Sequence, residues 1–194
     1  LREPTLDITV KDNIAHWKEA LGATLLPTGS LRLKHQDDVA LLPGFAEGAW
    51  WVQDAAAALP AMMAGDVKDK LVYDCCAAPG GKTAQFLAAG AKVVAIDQSS
   101  TRLQRLRENL QRIKMNANIL SVDVLTFKPN NLADVVFLDA PCSATGTLRR
   151  HPDLMIHKKP EDVPRLAKLQ LSMLSHVASL VKKDGLLIYA VCSL

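Results

Sequence analysis

The chain has 194 residues, 49% of them hydrophobic and 22% charged, enough for one compact domain with its own core and too few for two full ones. Its longest apolar runs, such as Ala133–Leu138, fall far short of the roughly 20 residues of a membrane span, and no repeat or single-sign charge block marks a collagenous or disordered chain. Lys and Arg number 23 against 20 Asp and Glu, a formal charge of +3, which permits a nucleic-acid partner without demanding one.

Residues 1–48 read as a small α+β lobe: a strand over Leu6–Val10, an amphipathic helix over Asn13–Leu21 stopped by Gly22, then a turn-rich stretch with Pro27, Gly29, Pro43 and Gly44. Residues 49–194 read as the core. Trp50 and Trp51 fit core packing or a hinge better than a base-stacking platform, and a helix over Gln53–Met63 follows, with Pro60 weakening its last turn. From residue 71 the pattern is strand, turn, helix, repeated. Strands are expected at Leu71–Asp74, Lys92–Asp97, Asn118–Asp123, Asp134–Asp139 and Gly185–Val191.

Leu103, Leu106, Leu110 and Ile113 recur at helical spacing and predict a helix over 100–114. Val163, Leu166, Gln170, Leu174, Val177 and Val181 do the same over 162–183. Continuous apolar strands suit a parallel sheet covered on both faces. The alternation predicts a doubly wound, mostly parallel α/β fold whose ligands gather at the carboxyl ends of the strands. The basic run Arg102, Arg105, Arg107, Arg112 and Lys114 reads as a solvated helix face.

The segment DCCAAPGGKT, Asp74 to Thr83, follows a strand and opens a helix. Gly80 and Gly81 let a ligand approach the backbone, and the helix-start amides attract a carboxylate or phosphate. Cys76 stands where a phosphate loop needs glycine, and the dinucleotide fingerprint is missing, so ATP, GTP and NAD are disfavoured. A nucleoside ligand without a pyrophosphate remains. Asp97 is placed to bind its ribose, Asp123 its adenine edge, and Asp139 ends the next strand.

Cysteines at 75, 76, 142 and 192 suit neither a disulfide scaffold nor a zinc site, and a reducing, cytoplasmic setting with no metal is expected. Cys142 and Cys192 follow strands that end at the same sheet edge. Two thiols beside a methyl donor suit alkylation at a pyrimidine C5, where thiolate addition to C6 activates the carbon. One thiol then attacks, the other helps remove the C5 proton, and Asp139 hydrogen-bonds the cytosine edge. Residue types alone do not rank the two.

The stretches Asp74–Thr83, Asp139–Asp153 (DAPCSATGTLRRHPD) and Tyr189–Ser193 (YAVCS) closely resemble the NOL1/NOP2/Sun RNA cytosine-5 methyltransferases. The middle block looks most like the bacterial 16S ribosomal RNA methyltransferase B (Sun/Fmu) branch. The likeness is strong from 43 to 193. It implies a Rossmann-like class I fold and S-adenosyl-L-methionine held by Cys76, Ala77, Ala78, Pro79, Gly80, Gly81, Lys82, Asp97, Asp123 and Asp139. It also implies that Cys192 attacks and Cys142 assists release. Val191 stands where that family usually has Thr. The start at Leu1 and the end shortly after Cys192 lead us to expect a core trimmed at both ends.

Arg149, Arg150 and His151, just past the Cys142 loop, are the expected contacts to substrate RNA, with Lys158 and Lys159 extending that surface. The target cytosine must be unpaired or extruded. The reading is of a monomer acting on ribosomal RNA. Its rivals are the same chemistry on tRNA or 23S RNA, and a catalytically weak RNA-binding module that kept the fold.

Overall fold

The computed structural model describes residues 5–34, 38–148, 150–157 and 159–193. The chain opens with β1 (Leu6–Val10), α1 (Ile14–Ala20), β2 (Thr24–Leu25) and β3 (Leu31–Leu33), and β4 (Trp50–Val52) joins them in an antiparallel sheet of order β2-β3-β1-β4. The small sheet therefore takes in Trp50–Val52, beyond the boundary expected after residue 48, because Ile8 pairs with Val52 and Val10 with Trp50. Trp50 and Trp51 are buried, which removes them from any base-stacking surface.

The core begins with α2 (Ala55–Met62), which Asp54 caps and which runs through Pro60, its buried Ala58 and Ala61 facing inward. Then come β5 (Leu71–Cys75), α3 (Gly81–Ala88), β6 (Lys92–Asp97), α4 (Ser100–Arg112), β7 (Asn118–Ser121) and β8 (Ala133–Asp139). After α5 (Leu154–His157) and α6 (Asp162–Ala178), β9 (Val181–Ala190) completes a parallel sheet of order β7-β6-β5-β8-β9.

Period-two alternation sorts this sheet's side chains into two apolar layers. Val72, Val93, Val135 and Phe137 pack with Phe86 of α3 and Ala61 of α2, and Ala95 with Leu103 and Leu106 of α4. Tyr73, Cys75, Val136 and Leu138 point the other way onto Met173 and Val177 of α6. The sheet is thus covered on both faces, and its strand order reverses between β5 and β8. At such a switch point a crevice opens beyond the carboxyl ends of the strands.

The helix expected over 162–183 ends at Ala178, and Val181 is the first residue of a strand. Sheet pairing wins over helical spacing here: the Ala133 amide donates to the Leu180 carbonyl at 2.8 Å, and Val181 pairs with Ala133. A bulge follows, with Asp184 at φ 63°, before pairing resumes at Leu186.

The small lobe is fastened to the core by α4. The Arg112 guanidinium stacks 3.9 Å over the Phe45 ring and donates to the carbonyls of Phe45 and Trp50 at 2.7 and 3.1 Å. Gly48 lies so close that a Cβ there would stand 2.1 Å from the Arg112 carbonyl oxygen. Arg112 is therefore an interface residue rather than part of a solvated face.

Candidate active site

The loop after β5 is shaped by its own backbone. Cys76 and Gly80 both have positive φ, and at Gly80 a Cβ would sit 3.0 Å from Leu106. No side chain caps α3, so its first-turn amides are offered to a ligand carboxylate. Thr83 in that first turn donates to Asp74 Oδ2 at 2.5 Å. Burial pushes the Asp74 carboxyl up to about 7 despite the Thr83 hydrogen bond and the Lys82 charge.

Asp97 ends β6 and is buried. Its carboxylate accepts from the amides of Ala78 (3.2 Å) and Ser99 (3.0 Å) and pairs with Arg102 at 3.1 Å. The cap of α4 is Ser99, not Asp97. Arg102 also donates to the Ala78 carbonyl, tying the glycine loop to the acid. Asp123 caps the turn at 124–126 through the Leu125 amide at 2.9 Å and still lines the crevice. A capping role and a ligand-facing role therefore coexist at one residue.

Two cavities meet at Asp139 and Cys192. One, about 260 Å³, is lined by Cys76, Asp97, Arg102, Asp123 and Cys142 together with that pair. The other, about 430 Å³, lies toward α2 and adds Asp54, Lys82, Arg150 and His151. A third space of about 460 Å³ runs beside the glycine loop past Trp51, Gln53 and Asp74. Lys82 Nζ holds Asp139 Oδ2 at 2.7 Å, which fixes the carboxylate between the first two. The crevice brings together the expected residues Cys76–Lys82, Asp97, Asp123, Asp139, Cys142 and Cys192.

The sulfurs of Cys142 and Cys192 lie 3.2 Å apart. Burial would raise the Cys142 thiol, but hydrogen bonds from Ser193, Cys192 and the Ala144 backbone outweigh it and hold Cys142 below the ordinary thiol range. Cys192 moves the other way, pushed up to about 11 by burial, by its hydrogen bond and charge interaction with Cys142, and by Asp139. Burial also drives Cys75 upward and Cys76 to about 12, leaving both as neutral thiols at pH 7. Cys142 is thus the more acidic of the two sulfurs at the strand edge.

The expected RNA contacts divide. Arg150 is engaged inside the protein: it pairs with Asp54 at 2.7 Å and donates to the Thr5 carbonyl at 3.3 Å. His151 is exposed at the rim of the cavity toward α2. Arg149 and Lys158 lie outside the described residues, and Lys159 is exposed.

Sequence reasoning passed over several residues here. Arg102, grouped with a solvated face, lines the acid-rich cavity; its place one turn into the helix that follows the Asp97 strand was the available signal. Gln170, taken as one position of a helical stripe, donates to the Pro141 carbonyl at 2.7 Å and accepts from the Tyr189 hydroxyl at 3.0 Å. It braces the Cys142 loop from α6. Ser193 and Ser143 close the site at 3.0 Å from each other; each directly follows a site cysteine in the DAPCSATGTLRRHPD and YAVCS stretches, but nothing local shows that the two meet.

A doubly wound parallel sheet with a glycine loop after its first strand and acids at the following strand ends is the core of a Rossmann-like class I methyltransferase. Solved structures agree. A methyltransferase homolog protein from Pyrococcus horikoshii superposes with a TM-score of 0.84 at 25% identity, over 100% of this chain and 66% of that one. NSun6 from the same organism, solved with the S-adenosylmethionine analogue SFG, gives 0.70 at 28% identity over 82% of this chain and 42% of its own.

The chain belongs to the 16S rRNA methyltransferase RsmB/F family, whose pattern matches residues 61–194. The ribosomal RNA small subunit methyltransferase B of Vibrio cholerae is 45% identical over 170 residues, 85% of this chain and 39% of that protein. This chain therefore spans about two fifths of such relatives.

Proposed function

We propose that this chain carries the catalytic centre of an enzyme that methylates C5 of a cytosine in 16S ribosomal RNA through a covalent adduct between Cys192 and C6. One observation carries the reading: two thiols 3.2 Å apart stand beside a lysine-held carboxylate, where two cavities meet at the sheet edge.

The residues fit S-adenosylmethionine. Asp97 is placed for the ribose, Asp123 for the adenine edge, and the uncapped amides at the start of α3 for the carboxylate. Bound there, the cofactor supplies an electrophilic methyl group, accepted by C5 once addition at C6 has made that carbon electron-rich. The cavity toward α2 takes the extruded base, with Asp139 hydrogen-bonded to its edge and Lys82 holding Asp139 in place.

Cys192 attacks C6 as the thiolate, and its raised pKa makes loss of its proton a demanding step. After methylation Cys142 takes the C5 proton. The C5–H electrons re-form the ring double bond, and Cys192 departs as a thiolate.

The test is methyl transfer by the full-length protein from labelled S-adenosylmethionine to 16S RNA, with 23S RNA and tRNA as parallel substrates. Cys192→Ala is expected to abolish transfer, and Cys142→Ala to trap a covalent RNA adduct. Full activity in Cys192→Ala would overturn the nucleophile assignment. Binding without transfer by the wild type would favour an RNA-binding module.

A further inference from the structure

We infer that Gln170 is a positioning residue that clamps the Cys142 loop to the strand leading to Cys192 and so sets Cys142 for the release step; the link to release rests on the reading that Cys142 takes the C5 proton. The sheet stops holding this loop just before the thiol. The Ala140 amide donates to the Ala190 carbonyl at 3.0 Å, and the next residue, Pro141, has no N–H with which to continue the pairing. What Pro141 keeps is its carbonyl, the oxygen of the peptide group that carries the Cys142 amide. Gln170 Nε2 donates to that oxygen at 2.7 Å.

The orientation of the Gln170 amide is dictated by its partners. A carbonyl can only accept, so the NH2 group must face Pro141, which leaves Oε1 to accept from the Tyr189 hydroxyl at 3.0 Å. Tyr189 lies in β9, paired with Leu138 of β8, and is followed by Ala190, Val191 and Cys192. One side chain therefore ties the residue before one thiol to the strand that delivers the other. The helix beneath it is anchored: Met173, on the same face of α6, is buried against Leu138 and its neighbours and lines the cavity that holds both sulfurs.

The two thiols are not held alike. Ala190 pairs with Asp139, so the Cys192 segment leaves directly from the sheet. Cys142 sits on a loop whose Ser143 hydroxyl and Gly146 amide bond to Ser193 and to the Cys192 carbonyl, and Gln170 fixes that loop to α6. In the release step the C5–H bond breaks, its electrons form the C5=C6 double bond, the C6–sulfur bond breaks toward Cys192, and the proton ends on Cys142. A proton acceptor about 1 Å out of place is a poor one. Attack by Cys192 comes earlier and does not use Cys142, so loss of the clamp slows release and spares attack.

The experiment uses the full-length protein with Gln170→Met, which keeps the length of the side chain without its hydrogen bonds, Tyr189→Phe and Gln170→Glu. Single-turnover reactions with 16S RNA and labelled S-adenosylmethionine separate formation of the covalent adduct from its decay. In Gln170→Met, decay should slow about tenfold while formation stays within about twofold of wild type and KM for S-adenosylmethionine is unchanged. Tyr189→Phe removes only the far bond and should slow decay about threefold. A second reading needs no RNA. Phenylarsine oxide bridges two neighbouring thiols through one arsenic, and its capture of the Cys142 and Cys192 pair, located by peptide mass, should weaken about tenfold in Gln170→Met. In Gln170→Glu the carboxylate at about pH 8 cannot donate to Pro141, and capture relative to wild type should fall as in the Met variant; toward about pH 5 the protonated carboxyl donates again and capture should return. A role in packing alone would not give that pH profile.

Unchanged capture in Gln170→Met, or a Glu variant whose capture relative to wild type does not vary with pH, would overturn the clamp. Equal slowing of adduct formation and decay would also count against it. Weakened capture in a protein whose wild type transfers no methyl group would count against the proposed reaction and still support the clamp.

Discussion

Asp74 offers a sharp test of how the cofactor loop is held. It is fully buried, one oxygen accepts from Thr83, and Oδ1 has no hydrogen-bond partner among the described residues. Burial raises its pKa from 3.8 to about 7. For an acid raised by folding, the stabilising contribution is fully present below the unfolded value near 3.8 and is lost as pH rises through about 7. A shift of that size corresponds to a ceiling of roughly 4 kcal/mol, of which roughly 3 kcal/mol falls between about pH 5 and about pH 8.5.

Asp74→Asn keeps an acceptor for Thr83 and cannot ionise. Denaturant unfolding of both proteins at the two pH values isolates the group, because every other titrating residue cancels in the difference. Relative to wild type, the Asn protein should gain about 2 to 3 kcal/mol on going from the lower to the higher pH. A difference that stays constant within about 0.5 kcal/mol would show that Asp74 is solvated or neutralised by Lys82, and the argument from burial would fail.

The remaining expectations follow from single contacts. Arg102→Met should weaken S-adenosylmethionine binding about tenfold by calorimetry, since it loosens Asp97 and the Ala78 carbonyl together; unchanged affinity would return Arg102 to a surface role. Arg150→Ala and Asp54→Ala should show a coupling of about 1 kcal/mol in a double-mutant stability cycle, while the salt slope of RNA binding stays unchanged because Arg150 is engaged internally. With Cys192 raised to about 11, the rate of covalent adduct formation should climb with pH between about 7 and 9, approaching tenfold per unit. A flat profile would mean that Cys192 is already ionised in the complex.

Much of the scaffold was legible because periodicity is local. Lys92–Asp97 reads as an apolar run closed by an acid and is a strand with those bounds, and the Leu103, Leu106 and Leu110 stripe is the buried face of α4. The failure at Val181 has a physical origin: a β-branched residue at helical spacing can equally open a strand, and the deciding partner, Ala133, is 48 positions away. The α4 arginines show the same limit. Arg102 and Arg112 look alike in sequence, yet one meets the Asp97 carboxylate and the other the lobe carbonyls of Phe45 and Trp50. The motif residues of the site could be named beforehand. The contacts that brace them, from Gln170 to Pro141 and Tyr189 and between Ser143 and Ser193, depend on which loops touch, and no spacing rule encodes that.

The bulge in β9 gives the two thiols their meeting point. Asp139 pairs with Ala190 across the neighbouring strands, so Cys142 and Cys192 leave the sheet at the same edge. Side chains alternate faces along a strand, and a slip of one residue in β9 would turn Ala190 to the opposite face and displace the Cys192 that follows it from Cys142. The slip is opposed at the other end of the strand, where residues 182–185 form the irregularity between Val181 and Leu186. There Gly185 lies so tightly that a Cβ would sit 2.7 Å from Val181 Cγ1 and 2.9 Å from the Asp134 carbonyl oxygen. An ordinary residue at 185 would push β9 out of this arrangement. The missing side chain of one glycine at the far end of the strand thus helps hold β9 in the pairing that places Ala190 beside Asp139, next to the two sulfurs.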